Sequence, residues 1–275
     1  MGLRIATNLP SVTARRNLNQ SGEAQASAME RLSSGFRINK AMDDVAGLAI
    51  SESMRGQVRS MAQAERNAQD GISFVQVAEG GLTESSNILI RLRELATQAS
   101  SDTLGNEERK FVDIEVQQLK KELDRIAETT EFSGTKLLNG SAETLEFHIG
   151  IKGDENNRIE LNASFANATS DNLNISGLSV LEKGDARDSL QNLETALQTV
   201  SEMRANFGAT QSRMNSTINN LRVYRENLSA AQSRIKDADM ADEASDFAKA
   251  KILQQAGIAT LAQANASSSM ALKLL

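Results

Sequence analysis

ARDSLQNLETALQTVSEMRANFGATQSRMNSTINNLRVYRENLSAAQSRI, residues 186–235, keeps one apolar phase from end to end. Steps of four and three alternate from Ala186 through Leu190, Leu193, Leu197, Val200, Phe207, Met214, Ile218, Leu221 and Leu228 to Ile235. Only Arg204, Gln211, Arg225 and Gln232 interrupt them. This is the spacing of a coiled-coil seam. At about 1.5 Å per residue the helix is a rod of roughly 75 Å. Asp185, with Asp188 three residues on, resembles a capping pair for its start.

A second seam runs Met54, Val58, Met61, Glu65, Ala68, Ile72, Val75, Glu79, Leu82, Ser86, Leu89, then shifts phase to Ile88, Leu92, Leu95 and Ala99. Gly80-Gly81 falls inside it. A glycine pair costs about 2 kcal/mol of helix propensity, yet the pattern resumes beyond it. The spacing therefore predicts one long helix with a weak point. A third seam is Val112, Val116, Leu119, Leu123 and Ile126, joined to the second by the turn SSDTLGN. Asn106 is placed to cap it, and Glu107 and Glu108 suit the positive end of the helix dipole.

The middle of the chain changes period. Leu145, Phe147, Ile149 and Ile151 alternate with Glu146, His148, Gly150 and Lys152; after GDENN, Ile159, Leu161 and Ala163 alternate again. This predicts a β-hairpin with one buried face. His148 falls on its polar face as a solvated histidine. The remainder of 164–184, rich in Asn, Ser and Gly, reads as loop.

The two ends differ from the rod. Ile5, Leu9 and Val12 form a short N-terminal stripe, with Pro10 tolerable in a first turn. Between Lys251 and Lys273 the chain carries no charge. One line there reads Ala250, Leu253, Gly257, Leu261, Ala264, Ala271, Leu275; others pass through Ile252 and Met270, and through Ile258 and Leu272. A helix apolar on all sides must be surrounded. One short N-terminal helix covers a single side. The other sides need further copies of the chain, or a chaperone before those copies arrive. The inner packing set is therefore Ile5, Leu9, Val12, Leu253, Leu261, Met270, Leu272 and Leu275. The uncharged run is long enough to span a bilayer, but Gln254, Gln255, Thr260, Gln263, Asn265 and Ser267 to Ser269 argue against membrane insertion.

Composition narrows function further. The chain has no Cys, one His and one Pro, and its net charge is −6. There is no disulfide or thiolate chemistry, and a His-built metal site or relay lacks its parts. No basic run with aromatics suggests nucleic acid. The N-terminus has no apolar segment of a Sec-type signal, and Ala6 stands where a myristoylation motif wants Ser or Thr. Acid pairs such as Asp43-Asp44 sit at neighbouring positions, which diverge around a helix. Gly80-Gly81 lacks the strand and the Lys-Ser/Thr of a phosphate loop. No catalytic, metal or cofactor set assembles, so the chain is expected to be neither an enzyme nor a cofactor carrier.

Specific segments resemble the bacterial flagellins: ERLSSGFRINKAMDDVAGLAISESMRGQ (30–57), NAQDGISFVQVAEGGLTES (67–85), IRLRELATQASSDT (90–103), ELDRIAETTEFSGTKLLNG (122–140) and, after residue 186, ARDSLQNLETALQTVSEMRANFGATQSRM and NLSAAQSRIKDADMADEASDFAKAKILQQAGIATLAQAN. The resemblance covers roughly 1–140 and 186–275.

It implies a mainly α fold: a long coiled-coil rod with a small β-hairpin, plus N- and C-terminal helices paired in an inner domain. The expected map is 1–43 inner helix, 44–140 rod helices, 141–185 hairpin and loop, 186–235 rod helix, and 236–275 inner helix. Residues 141–185 are too few for a typical outer domain of about 100 residues, so a short form is expected. The resemblance further implies a homopolymeric filament used for motility, type III export in an unfolded state, an export chaperone at the C-terminal segment, and contacts with filament cap and hook-associated proteins. It places the filament outside the cell, externally, in a sheath or in the periplasm. It also implies that a vertebrate Toll-like receptor reads Arg91, Leu95 and Glu115; for the protein's own role these positions read as ordinary helix surface and rod packing between neighbouring subunits. Arg37, Asn39, Asp43 and Asp44 fall where the inner helix gives way to the rod, as an inter-domain connection or a solvated linker. A hook-filament junction protein and a coiled-coil signalling or adaptor protein are the alternatives.

Overall fold

The computed structural model describes residues 7–141 and 144–273. Its helices are α1 (Leu9–Ser34), α2 (Val45–Ala99), α3 (Asn106–Thr129), α4 (Lys183–Lys236) and α5 (Met240–Lys273). Two antiparallel strand pairs lie between α3 and α4: β1 (Glu131–Phe132) with β2 (Thr135–Lys136), and β3 (Thr144–His148) with β4 (Arg158–Asn162). The chain divides into Met1–Val58 with Glu226–Leu275, and Arg59–Arg225.

The larger unit, Arg59–Arg225, is built on the seams. Leu82, Leu89 and Leu92 of α2, Val116 and Leu123 of α3, and Leu193, Val200 and Phe207 of α4 share one core. The expected phase shift in α2 does not occur. One line of buried positions runs 61, 64, 68, 71, 75, 78, 82, 85, 89, 92, 96 and 99 in unbroken steps of three and four, with Glu65, Phe74 and Leu95 buried beside it. Gly71, Ala78 and Ser85 hold that phase where large residues were sought. Ser85 is fully buried, and its hydroxyl donates to the Gly81 carbonyl at 3.0 Å.

Charged interruptions in the two seams meet each other. Glu65 accepts from Arg222 Nε at 2.6 Å and from Arg225 NH1 at 2.7 Å. Glu79 lies 3.9 Å from Arg204. The hydrogen bond from Arg222, then the nearby Arg225 charge, holds the Glu65 carboxyl below the ordinary glutamate range.

The start signals of two helices are reassigned. Gly105, not Asn106, occupies the N-cap of α3, without a side-chain cap bond. Asn106 Oδ1 instead accepts from Arg109 NH1 at 2.9 Å. Arg109 is buried and donates to the Ala99 and Ser101 carbonyls, both at 2.9 Å, which satisfies the end of α2. Helix α4 begins at Lys183, so Asp185 lies in its first turn, one turn before Asp188.

The hairpin pairs Leu145 with Leu161 and Phe147 with Ile159 on its inner face. Ile149 and Ile159 pack with Ala68, Met214 and Ile218, and Phe147 sits against them. His148 is exposed, opposite Arg158. The short β1–β2 pair was not read from the sequence. Its turn needs Ser133 and Gly134 at positive φ, and two-residue strands carry no usable alternation.

Segment 164–182 is irregular, as its composition predicts, yet Leu173, Ile175, Leu178 and Val180 are buried. One stripe of α3 grips its backbone. Asp113 accepts from the Val180 amide at 3.1 Å, and Gln117 donates to the Leu178 carbonyl at 3.1 Å. Lys120 donates to the Ser176 carbonyl, and Asp124 accepts from the Ser170 amide and hydroxyl, both at 2.8 Å.

The two adjacent glycines of α2 are not equivalent. A Cβ on Gly81 would stand 2.6 Å from Leu138 Cδ1 and 2.8 Å from Thr130 Oγ1, whereas nothing lies within 4 Å of one on Gly80. Gly80→Ala is expected to stabilise the protein by up to about 1 kcal/mol through helix propensity. Gly81→Val is expected to destabilise it by roughly 2 kcal/mol through overpacking. Urea unfolding of each variant measures both.

Glu65→Gln tests the ionic contact through pH. A lowered folded-state pKa contributes stability above the ordinary glutamate value and loses it as pH falls. Wild type should exceed Glu65→Gln by about 1 kcal/mol at pH 7, because half-exposed arginines moderate the gain. The difference should shrink below about pH 4.3. Chemical unfolding across pH 3–7 measures it.

Candidate assembly surface

In the smaller unit, α1 and α5 pack lengthwise. Asn8 caps α1, its side chain accepting from the Ser11 amide at 3.2 Å, and Pro10 occupies the first turn, where its missing N–H costs nothing. Asn8 Nδ2 also donates to the Ala264 carbonyl at 2.9 Å, and Ser11 Oγ donates to Asn265 Oδ1 at 2.9 Å. At the opposite end Arg31 meets Glu243 at 3.1 Å.

Along α5 the less exposed positions are 243, 247, 250, 254, 257, 261 and 264, another run of four and three. Leu261 and Gly257 lie on this line, with Gly257 against Leu18. Leu253 lies off it, because Gln254 takes the inward place. The outer faces are strongly apolar: Ile252, Leu253 and Ile258 of α5 are 65%, 51% and 56% exposed, and Leu9 and Val12 of α1 are 60% and 63% exposed. Ile5 and Leu275 lie outside the described residues, as do the side chains of Met270 and Leu272.

Residues 35–44 join α1 to α2 and are tied to the α4–α5 junction. Gly35 closes α1 at φ +74°, a left-handed conformation that suits glycine. The Arg37 amide donates to the Lys236 carbonyl and the Arg37 guanidinium to that of Ile235, both at 2.7 Å. The Ala238 amide returns a bond to the Gly35 carbonyl at 2.9 Å. Lys236 Nζ lies 4.9 Å from the Phe36 ring centroid.

Asn39 donates to Ser34 Oγ at 2.9 Å. Asp43 accepts the Lys40 and Asn39 amides at 2.9 and 3.0 Å, and these bonds, Lys40 first, hold its carboxyl below the usual range. Asp44 accepts the Gly47 amide at 2.8 Å and so caps α2. All four residues expected at the connection thus make defined contacts within this one unit.

In the larger unit, Arg91 and Glu115 form a surface ion pair at 2.9 Å, with Glu94 also on Arg91 at 3.0 Å. Both bonds, Glu94 first, raise the Arg91 pKa. Leu95 lies beneath them at 2% exposure, packed in the core, and presents no side chain to solvent.

No group of acidic and histidine side chains able to hold a metal occurs among the described residues, and none of their helices is long and apolar enough to cross a membrane.

A coiled-coil unit carrying two short antiparallel strand pairs, together with the α1–α5 helix pair, apolar on its outside, defines a class: a helical structural subunit with uncovered packing faces. Residues 5–143 match the bacterial flagellin N-terminal helical region, and residues 190–275 match the bacterial flagellin C-terminal helical region. A flagellin of Halalkalibacterium halodurans is 43% identical, over 98% of this chain and 99% of the relative. The flagellar filament 33 kDa core protein of Treponema phagedenis is 40% identical, over 98% and 99%. The crystal structure of Bacillus cereus flagellin aligns with TM-score 0.50 and 31% identity, covering 57% of this chain and 88% of that one. The chain belongs to the bacterial flagellin family.

Because Leu253 and Ile258 are more than half exposed, Leu253→Gln and Ile258→Gln should each leave monomer stability within about 0.5 kcal/mol of wild type. Thermal unfolding of dilute monomer, followed by circular dichroism, measures this.

Proposed function

We propose that this chain polymerises into a flagellar filament by burying the outer faces of the α1–α5 pair against the same pair in neighbouring copies. The observation that carries the reading is the exposure of Ile252, Leu253 and Ile258 on α5 together with Leu9 and Val12 on α1. Burying a large aliphatic side chain gains about 1.5–3 kcal/mol, and each copy offers several. Matches running the length of relatives named flagellin and flagellar filament core protein support a filament subunit over a hook-filament junction protein or a signalling adaptor.

The packing set adds Leu261 and, beyond the described side chains, Ile5, Met270, Leu272 and Leu275. The inner part comprises 1–43 and 236–275, and the rod comprises 44–235. Arg37, Asn39, Asp43 and Asp44 fix the angle of the connection or contact neighbouring copies. The C-terminal segment binds an export chaperone before assembly, because its apolar sides need cover in the cell. Filament cap and hook-associated proteins meet the polymer at its ends. The subunit works in an extracellular flagellar filament. A Toll-like receptor that reads this chain meets Arg91 and Glu115 at the surface, with Leu95 supporting them from below.

Deletion of Leu261–Leu275 should leave the larger unit helical and abolish polymerisation. Circular dichroism of the monomer and electron microscopy after seeding test this together. Normal filaments from the truncated chain would refute the reading.

A further inference from the structure

The methionines divide by burial. Met61, Met203 and Met214 are 1%, 1% and 0% exposed, within the larger unit. Met29, Met42 and Met240 are 56%, 85% and 52% exposed, all in the smaller unit where α1 ends and α5 begins. Ion pairs tie this junction beside each of them. Met29 precedes Glu30, which holds Lys40 at 2.7 Å, and Met42 lies two residues past Lys40. Met240 stands three residues before Glu243, the partner of Arg31. Phe36 and Val45, 39% and 71% exposed, are further exposed apolar side chains of the segment joining α1 to α2 and of the start of α2. The chain has no cysteine, so thioethers are its oxidisable sulfurs.

We propose that Met29, Met42 and Met240 form a redox-modifiable patch whose oxidation by peroxides blocks subunit addition. The inference rests on the filament reading, with a second copy as the partner that covers the patch. Each thioether sulfur attacks one peroxide oxygen. An S–O bond forms and the O–O bond breaks; sulfur gives up two electrons, and the released hydroxide takes a proton and leaves as water. The product is a polar, chiral sulfoxide. In the free subunit that oxygen faces water and disturbs little packing. Once a neighbour covers the patch, the oxygen is buried without a donor, which opposes assembly. The buried methionines of the larger unit are shielded from the same reaction.

The test treats purified monomer with hydrogen peroxide, maps oxidation by peptide mass spectrometry, and follows seeded polymerisation by light scattering. Met29, Met42 and Met240 should gain oxygen about ten-fold faster than Met61, Met203 and Met214. Helical content and the unfolding midpoint should not change, polymerisation should fall at least several-fold, and methionine sulfoxide reductase should restore it. Whatever seeded rate the triple variant Met29→Leu, Met42→Leu, Met240→Leu shows before peroxide, it should keep that rate after peroxide.

Equal oxidation of exposed and buried methionines would overturn the proposal. So would unchanged polymerisation of oxidised monomer, or a triple variant that remains peroxide-sensitive through Met54 or Met270. If untreated wild type does not polymerise, the filament reading falls first and this proposal with it.

Discussion

Two helices can cover only one stripe of each other, and α5 is apolar on more than one. The pair it makes with α1 uses the line through Ala250, Gly257 and Leu261 and leaves Ile252, Leu253 and Ile258 in water. Geometry, not lack of apolar residues, prevents a single copy from finishing this core. The contrast with the larger unit is direct. There α2, α3, α4 and the hairpin surround one another, and the seam leucines reach zero exposure. Helices α1 and α5, far apart in sequence, supply the unfinished part, so that surface exists only once the two have met.

Much of this was legible in the sequence because helix seams and hairpins write regular periods. The three rod helices and the β3–β4 register face follow from spacing alone, whereas the pairing of α1 with α5 is implied by the family resemblance. What escaped was carried by small or polar residues. Gly71, Ala78 and Ser85 keep the α2 seam in phase but do not look like seam residues. The inward line of α5 runs through Gln254, whereas the apolar spacing points to Leu253. The burial of Leu173, Ile175, Leu178 and Val180 was hidden because irregular backbone has no period. Leu95 lies on the seam through Ile88, Leu92 and Ala99, so its depth was legible; the pairing of Arg91 with Glu115 of α3 depends on how two helices meet, which one helix pattern does not reveal.

The charged breaks in the seams serve the register of α2 and α4. An aliphatic seam alone tolerates a shift by a heptad, since each new pairing is again apolar against apolar. Glu65 opposite Arg222 and Arg225, and Glu79 opposite Arg204, oppose that freedom, because a shift by one heptad would set Asn215 and Ile218, or Ser229 and Gln232, against Glu65 in place of its two arginines. Glu65 has little exposure, so its penalty for losing both arginines is the larger. The same residues that weaken the apolar pattern in the sequence favour one pairing of α2 with α4.

The way α3 holds the irregular segment has an evolutionary consequence. Asp113, Gln117 and Lys120 bond to the amide of Val180 and the carbonyls of Leu178 and Ser176; of the gripped residues, Ser170 alone also offers its side chain, to Asp124. Main-chain groups are the same in nearly every amino acid. The clasp is therefore blind to what the outward-facing residues are, and Asp171, Ser176 and Gly177 can drift without loosening it. A bacterium under pressure to vary its surface has here a stretch whose shape is inherited from the helix beneath it, while its chemistry is left open to selection.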